Sequence, residues 1–373
     1  MDRRPWSGIG LPLTGRRHLH HAALGFDLGQ RASQHTDRRV AERKGYRMRV
    51  LVLGGTWFLG RRITERLHDR GDAVLVVHRG HAEPDQWIPV QHLHTDRYQL
   101  ADHAQTIAEF DPDAVVDTCP LTGSDVDAVL PALPEVPTVV LSSQDVYAAF
   151  TGLRTGHEVA AVPITEDSEL RAERYPHRGT AVPVPDDYEK IDVEQCWLRR
   201  GAVVLRLPMI YGSHDWQRRE EPVLRRLRAH RSHIPIGAAN LLWTRGHVDD
   251  LATGVLAAID NRAADGLAVN LGETHTCTLR GWFSQILAAA GSDARLITVP
   301  ETTLPPDLAL TAAPAQHLLV SVARAQTLLG WLPGDPTTRV AESVRWHLAH
   351  PPVGITWTEL DTAVDDAALT HAL

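Results

Sequence analysis

A glycine-rich run between an apolar segment and a helical segment places the strongest constraint on how this chain folds. The apolar segment Arg49–Leu53 is typical of a buried strand, and after it come Gly54, Gly55, Thr56, Trp57, Phe58, Leu59 and Gly60. Glycines allow a tight turn and a close backbone approach, while the start of the next helix offers N–H groups and a positive dipole. We therefore predict that this turn binds the pyrophosphate of a dinucleotide.

Short apolar segments alternate with helical segments through the first half of the chain. Besides Arg49–Leu53, strands are predicted at Ala73–Val77, Val90–Thr95, Ala114–Thr118, Thr138–Leu141 and Ala202–Leu207. Continuous apolar strands of this kind form a parallel sheet that helices cover on both faces. We predict an α/β fold with a Rossmann-type doubly wound parallel sheet, followed by a smaller α/β substrate lobe. The predicted ranges are 48–212 for the sheet domain, 213–350 for the lobe and 351–373 for a carboxyl-terminal tail.

The first 47 residues differ in composition from the remainder. They hold ten Lys and Arg against four Asp and Glu, a net charge of +6, whereas the other 326 residues carry a net charge of −14. The segment lacks apolar periodicity, so we predict that it is disordered. Met48 directly precedes the first strand, and two interpretations stay open: an over-extended start of translation, or a basic arm that binds an acidic partner.

Composition excludes several classes of protein. The 373 residues are 43% hydrophobic and 23% charged, as in an ordinary globular protein. No apolar run approaches 18 residues, so no membrane-spanning helix is predicted. Cys119, Cys196 and Cys277 are scattered without metal-site spacing, which indicates reduced thiols in a cytoplasmic protein and no metal. The acidic balance after residue 47 makes nucleic acid an unfavourable partner.

The glycine run resembles that of the extended short-chain dehydrogenase/reductase family, also called the NAD-dependent epimerase/dehydratase family. Gly54 and Gly60 match its motif, while Trp57 replaces the middle glycine. That replacement is similar to an atypical branch with the pattern G-G-T-R-F-[IL]-G, which includes RNA-associated members. Further matches are His247–Ala252 and Leu329–Pro333, and we interpret both as structural. The resemblance covers about residues 48–350.

Several residues are candidates for contacts with the dinucleotide. The second predicted strand ends in His78-Arg79-Gly80, without the acidic residue that usually holds the ribose hydroxyls of NAD. Arg79 could instead meet a 2′-phosphate, which favours NADP over NAD as the cofactor. Asp96 and Arg97 resemble the family's adenine-contacting segment. The resemblance also implies that Lys190 binds the nicotinamide ribose and that Pro208 lies near the nicotinamide.

The catalytic pattern of the family is only half present. Ser143 matches the residue that polarises the substrate in S-S-x-x-V-Y. Lys190, one of only two lysines in the chain, aligns with the lysine of Tyr-x-x-x-Lys, but that alignment puts Asp186 at the tyrosine position. Tyr188 lies two residues before Lys190, a spacing that prevents the usual pair if both are helical. Either Tyr188 reaches the site from an irregular helix start, or Asp186 is the acid/base, or redox chemistry has been lost.

The second half of the chain supplies candidate substrate contacts. Met209 replaces an asparagine that holds the substrate in nucleotide-sugar enzymes of the family, which argues against such a substrate. Arginines there could hold a phosphate or carboxylate, and tryptophans such as Trp216 a sugar face or an aromatic ring. We expect substrate contacts from four residues: Tyr147, Tyr211, Arg219 and Arg245.

The resemblance implies an oxidoreductase or isomerase. The leading hypothesis is an NAD(P)-dependent epimerase, dehydratase or reductase that acts on a small hydroxylated, sugar-like or secondary-metabolite substrate. The alternative is an atypical member without redox turnover, which senses nucleotides or binds RNA or protein. The family also implies a homodimer.

Overall fold

The structure is a computed structural model, and it describes residues 47–81, 89–157, 159–180, 182–354 and 356–372. The predictions made for the amino-terminal segment lie outside the described residues, apart from Arg47. The described residues form one compact unit.

Strands and helices alternate as the sequence predicts. The strands are β1 (Arg49–Leu53), β2 (Ala73–His78), β3 (Gln91–His94), β4 (Ala114–Asp117), β5 (Thr138–Ser143), β6 (Val203–Leu207), β7 (Met209–Tyr211), β8 (His233–Ile236), β9 (Arg245–His247), β10 (Ala268–Asn270) and β11 (Arg295–Thr298). The helices are α1 (Phe58–Asp69), α2 (Ala104–Phe110), α3 (Gly123–Val129), α4 (Gly152–Thr155), α5 (Lys190–Leu198), α6 (Glu221–Arg228), α7 (Val248–Asp260), α8 (Leu279–Ala289), α9 (Ala323–Leu329), α10 (Pro336–Ala349) and α11 (Glu359–Leu369).

A seven-stranded sheet in the order β10-β6-β5-β4-β1-β2-β3 forms the centre of the molecule, and its neighbouring strands are parallel. Side chains of one strand alternate between two cores. Val50 and Val52 pack with α1 and α7, whereas Leu51 and Leu53 belong to the core under α2, α3 and α5. Because both faces are covered, the inner strands are largely apolar, although β6 contains the buried Arg206. The predicted Rossmann-type fold is confirmed.

The strand order reverses between β1 and β4, which are neighbours although β2 and β3 lie between them in sequence. In sheets of this kind, ligands bind at the carboxyl ends of the strands beside such a reversal. The turns after β1, β4 and β5 all lie at this edge, so the fold brings the glycine run and Ser143 to the same side of the sheet.

The predicted boundary at residue 212 does not separate the layers cleanly. Two elements from beyond it, α7 and β10, complete the central domain, because α7 packs on α1 and β10 pairs with β6. The rest of the second half forms a separate core around Trp282 and Phe283, beside the two-stranded β8–β11 and β7–β9 pairs.

The segment predicted as a carboxyl-terminal tail contains α11, which packs beside β8. Within the described part of the chain, no helix is long and apolar enough to cross a membrane.

Candidate active site

The turn after β1 is too tight for side chains at its glycines. Gly54 adopts a φ of +86°, and a Cβ on Gly60 would lie 2.2 Å from the Gly54 carbonyl oxygen. A Cβ on Gly55 would lie 2.5 Å from the Thr64 hydroxyl, which itself donates to the Gly55 and Gly60 carbonyls. The glycines thus let α1 begin directly against β1.

The amino terminus of α1 is open to an incoming anion. Its N-cap residue, Trp57, provides no side-chain hydrogen bond, and the first turn holds no acidic residue. The first N–H groups of a helix lack partners within the helix, so this end suits a phosphate. Phe58 has a φ of +41°, a strained conformation for a bulky residue. Strain of this kind often accompanies a functional turn.

Lys190 lies at the same edge, one short loop away from the glycine turn. The Thr118 hydroxyl donates to the Leu53 carbonyl over 2.7 Å, and the Lys190 Nζ donates to the Pro120 carbonyl over 2.6 Å and to that of Leu141 over 3.2 Å. Burial lowers the pKa of Lys190, while the charges of Asp145 and Asp117 oppose that shift. The ammonium is therefore held at the ends of β4 and β5.

Because α5 begins at Lys190, Tyr188 lies outside the helix, and helical spacing does not turn its side chain away from that of Lys190. Glu189 is its N-cap and accepts from the Ile191 N–H. The Glu189 carboxylate also pairs with Arg171 at 2.5 Å and with Arg174 at 2.9 Å. Burial alone would raise the pKa of Glu189, but the Arg171 contact and backbone donors lower it to about 2. This anchored cap fixes the chain direction at Tyr188.

The Tyr188 phenol joins a cluster of polar side chains at the end of β5. It donates to Asp145 Oδ2 over 2.6 Å, and the Ser143 hydroxyl interacts with the phenol. His177 Nε2 lies 3.9 Å from the same Asp145 oxygen, and its ring meets that of Tyr188 edge-on at 5.1 Å. The structure thus brings Ser143 and Tyr188 together.

The electrostatics of this cluster differ from those of a Tyr-x-x-x-Lys pair. Burial, and then the charge of Asp145, raise the pKa of Tyr188 well above its ordinary value. Burial would raise the pKa of Asp145 as well, but the contacts with His177 and Tyr188 lower it. At neutral pH the phenol therefore keeps its proton, which it donates in a hydrogen bond to an ionised carboxylate.

Asp145 and His177 were missed by the sequence analysis. Asp145 occupies a variable position of the S-S-x-x-V-Y pattern, so its acidic side chain was the available sign that it belongs to the site. His177 lies on an irregular loop, where no periodicity relates it to the site.

Asp186 is placed differently from Tyr188: it is exposed and accepts from the Gly179 N–H over 3.2 Å.

Asp96 and Arg97, which are predicted to lie near the adenine, form hydrogen bonds with other residues of the protein. Asp96 accepts from the Tyr98 N–H, and the Arg97 guanidinium contacts both Asp117 oxygens at 3.0 Å and the Cys119 carbonyl at 2.9 Å. These bonds occupy much of Arg97's hydrogen-bonding capacity. Arg79 is exposed directly after β2.

Of the four residues predicted to contact the substrate, three are buried and one is half-buried. The Tyr147 hydroxyl donates to Asn270 at 2.7 Å and is fully buried, as is Tyr211. Arg245 is buried and pairs with Glu273 at 3.0 Å. These three side chains support the core instead of presenting a surface to a substrate. Arg219 is only half-buried and stays accessible. Pro208 is buried between β6 and β7.

Fold and site together define a Rossmann-type α/β protein whose candidate site lies at the carboxyl edge of the sheet. Residues 50–132 match the NAD dependent epimerase/dehydratase family. This match confirms the resemblance that the sequence motifs indicate.

The chain is also similar to individual proteins. It is 25% identical over 308 residues to the chloroplast stem-loop binding protein of 41 kDa b from Arabidopsis thaliana. The alignment covers 76% of this chain and 75% of that protein. UDP-glucose 4-epimerase from Thermotoga maritima, solved with UDP-glucose, superposes with a TM-score of 0.62 at 16% identity and covers 81% of this chain and 99% of its own. For dTDP-glucose 4,6-dehydratase from Bacillus anthracis, solved with NAD, the TM-score is 0.61 at 14% identity, with 82% and 97% covered. At these identities the structures establish the fold.

Proposed function

We propose that this protein is an NAD(P)-dependent enzyme of the epimerase/dehydratase type that acts on a small hydroxylated substrate. The observation that carries the proposal is the convergence of Ser143, Tyr188 and Lys190 beside the glycine turn. The family match and the uncapped amino terminus of α1 support the same assignment.

Each part of the site has a role in this proposal. The turn and the start of α1 hold the pyrophosphate, and Lys190 holds the nicotinamide ribose. A bound dinucleotide supplies the exchange of a hydride with the substrate carbon. Ser143 polarises the substrate oxygen by a hydrogen bond, and Tyr188 passes a proton between that oxygen and Asp145.

NADP is the proposed cofactor. No acidic residue follows β2, and exposed Arg79 stands directly after it, where a guanidinium can pair with a 2′-phosphate. NADPH should therefore bind more tightly than NADH, and Arg79→Gln should reduce that difference without weakening NADH binding.

Cofactor titration of the full chain tests the proposal. NADPH and NADH are added while nicotinamide fluorescence is followed, with Lys190→Ala and Lys190→Met beside the wild type. We expect both variants to weaken binding by tenfold or more, since the ammonium is lost in each. Lys44→Ala, at the only other lysine, is the matched control and should bind normally. Failure of both cofactors to bind the folded wild type would exclude the proposal.

The similarity to a stem-loop binding protein supports a second candidate, the binding of structured RNA. The net charge of −14 after residue 47 disfavours the binding of RNA, whereas the net charge of +6 over the first 47 residues favours it. Fluorescence anisotropy with a labelled RNA hairpin, measured between 50 and 200 mM salt on the full chain, tests this candidate. Absence of binding at the lower salt concentration would exclude it.

A further inference from the structure

Two exposed tryptophans lie together beside the glycine turn. Trp57, in the glycine turn, keeps 57% of its surface exposed, and Trp216, in the loop after β7, keeps 51%. Their ring centroids lie 6.1 Å apart and their planes are tilted by 51°. A contiguous exposed apolar patch often marks a binding site. The pair therefore offers ring faces to a ligand.

The loop that carries Trp216 is held in place. The buried Asp215 carboxylate accepts from the N–H groups of Gln217 and Arg219, each over 2.9 Å. His214 and Arg218 take left-handed backbone conformations on either side of Trp216, with φ values of 64° and 49°. These bonds fix the backbone, so the exposure of Trp216 is a property of an ordered loop.

The same loop carries an arginine without a carboxylate partner among the described residues. The Arg219 side chain donates to Gln217, and its Nε is buried without a partner there. Burial lowers the pKa of Arg219, although the charge of Asp215 opposes this shift. Neighbouring arginines differ in this respect, since Arg218 pairs with Glu221 and Arg245 with Glu273. An incompletely satisfied guanidinium on the same loop as an exposed indole suits an anionic group on an aromatic molecule.

We propose that Trp57, Trp216 and Arg219 form a substrate subsite for a planar aromatic ring that carries a phosphate or carboxylate. This inference rests on the proposed function, because it names the substrate class of the same enzyme. The ring stacks on the indole faces, and the anion pairs with the guanidinium. Trp57 joins this subsite to the dinucleotide turn, so the ring is placed beside the cofactor's pyrophosphate.

Calorimetric titration with simple probes tests the subsite on the full chain. Phenyl phosphate carries both features, and benzoate replaces the phosphate by a carboxylate. Cyclohexyl phosphate and glucose 1-phosphate keep the anion without an aromatic face. We expect phenyl phosphate or benzoate to bind about tenfold more tightly than the two non-aromatic probes. Equal binding of glucose 1-phosphate would overturn the aromatic class.

Variants assign the binding to these residues. Trp57→Leu, Trp216→Leu and Arg219→Gln should each weaken binding of the aromatic probe by about tenfold. Trp357→Leu, at a tryptophan stacked on Arg225, and Arg199→Gln are matched controls that should bind normally. Equal losses in the controls would overturn the subsite.

A final titration separates this proposal from the proposed function. The aromatic probe is added in the presence of saturating NADPH, and it should still bind. Displacement of the probe by NADPH would assign the indoles to the dinucleotide and overturn the subsite. If NADPH itself fails to bind while the probe binds, the proposed redox function fails and the subsite stands.

Discussion

At the residue scale, the Asp145 carboxylate determines what the Tyr188 phenol can do. A tyrosine beside a lysine loses its proton readily, whereas a tyrosine that donates to a buried carboxylate retains it. Lys190 donates to two backbone carbonyls, and the bond from Tyr188 Oη runs to Asp145. In the proposed mechanism, proton transfer through Tyr188 therefore depends on this carboxylate, and His177 Nε2 lies 3.9 Å from it.

Removing the Asp145 charge should lower the pKa of Tyr188. We expect this shift in Asp145→Asn because the carboxylate disfavours the phenolate by its charge and by accepting the phenol's proton. NMR titration of protein labelled at tyrosine Cζ measures the shift, and Tyr188→Phe identifies the resonance. Asp186→Asn is the control, since Asp186 accepts from Gly179 instead. An unchanged Tyr188 titration in Asp145→Asn would contradict this account of the site.

At the element scale, the Asp249 carboxylate ties α7 to α1. Its oxygens accept from Arg62 at 2.7 Å and from Arg66 at 2.5–2.8 Å. Burial would raise the pKa of Asp249, but the two arginines lower it to about 2. His247 is the N-cap of α7, so Asp249 and Asp250 lie in the first turn of that helix.

Asp249→Asn should destabilise the fold by about 2 kcal/mol, because two guanidinium groups lose a shared charged partner. The folded pKa lies below the ordinary value of 3.8, so this contribution is present above pH 4 and is lost as the pH falls towards 2. Urea unfolding at pH 7 and pH 3 measures it. Asp167→Asn, which removes an exposed partner of Arg324, should change little. An equal cost in the two variants would count against the tie.

A second contact between elements joins Glu220, at the start of α6, to Ser343 and His347 of α10. The Ser343 hydroxyl donates to the Glu220 carboxylate, and His347 Nε2 lies 3.4 Å from its other oxygen. Burial raises the pKa of Glu220 to about 7 and lowers that of His347 to about 4. Both groups are therefore largely uncharged in mildly acidic solution.

Glu220→Gln should become more stable relative to the wild type as the pH rises from 4.5 to 7. In that window the folded wild type holds a proton that the unfolded chain releases, so its Glu220 contribution declines with pH by up to about 3 kcal/mol. His347 has the opposite dependence, which makes the difference between the proteins the informative quantity. Thermal unfolding at pH 5 and pH 8 measures it, with Glu342→Gln as the control. A difference that is constant with pH would refute the shifted titration.

At the scale of the whole molecule, the carboxyl-terminal helix closes the second core. Arg226 is buried on α6 and pairs with Asp365 of α11 at 2.7 Å and with Asp307 at 2.8 Å. Arg225 and Arg231 pair with Asp361 and Asp366 of the same helix. The chain end is therefore part of the folded unit through a buried charge.

Asp365→Asn should cost about 3 kcal/mol, because a buried guanidinium loses one of its two carboxylates. Asp366→Asn removes only an exposed partner and should cost less than about 1 kcal/mol. Chemical denaturation of the two variants compares them directly. Similar midpoints would show that α11 contributes little to the stability of this core.

The sequence by itself determined the architecture and the place of the glycine turn. Both follow from local rules: continuous apolar runs specify covered parallel strands, and the sterics of the turn admit only glycine at Gly54 and Gly60. Ser143 could be placed in the same way, because it closely follows a predicted strand. The start of α5 was harder to predict from the sequence, because this boundary depends on the Glu189 cap and on the arginines that pair with it.

Only the tertiary structure decided the rest of the site. Tyr188, Asp145 and His177 are far apart in sequence and irregular in spacing, so no periodicity relates them. The same holds for Trp57 and Trp216, whose ring centroids lie 6.1 Å apart although the residues are distant in sequence. Tyr147 and Arg245 match plausible substrate positions in sequence, yet the fold buries them against Asn270 and Glu273. Burial and pairing across the chain depend on packing between layers, and a linear pattern does not encode which distant partner a polar side chain meets.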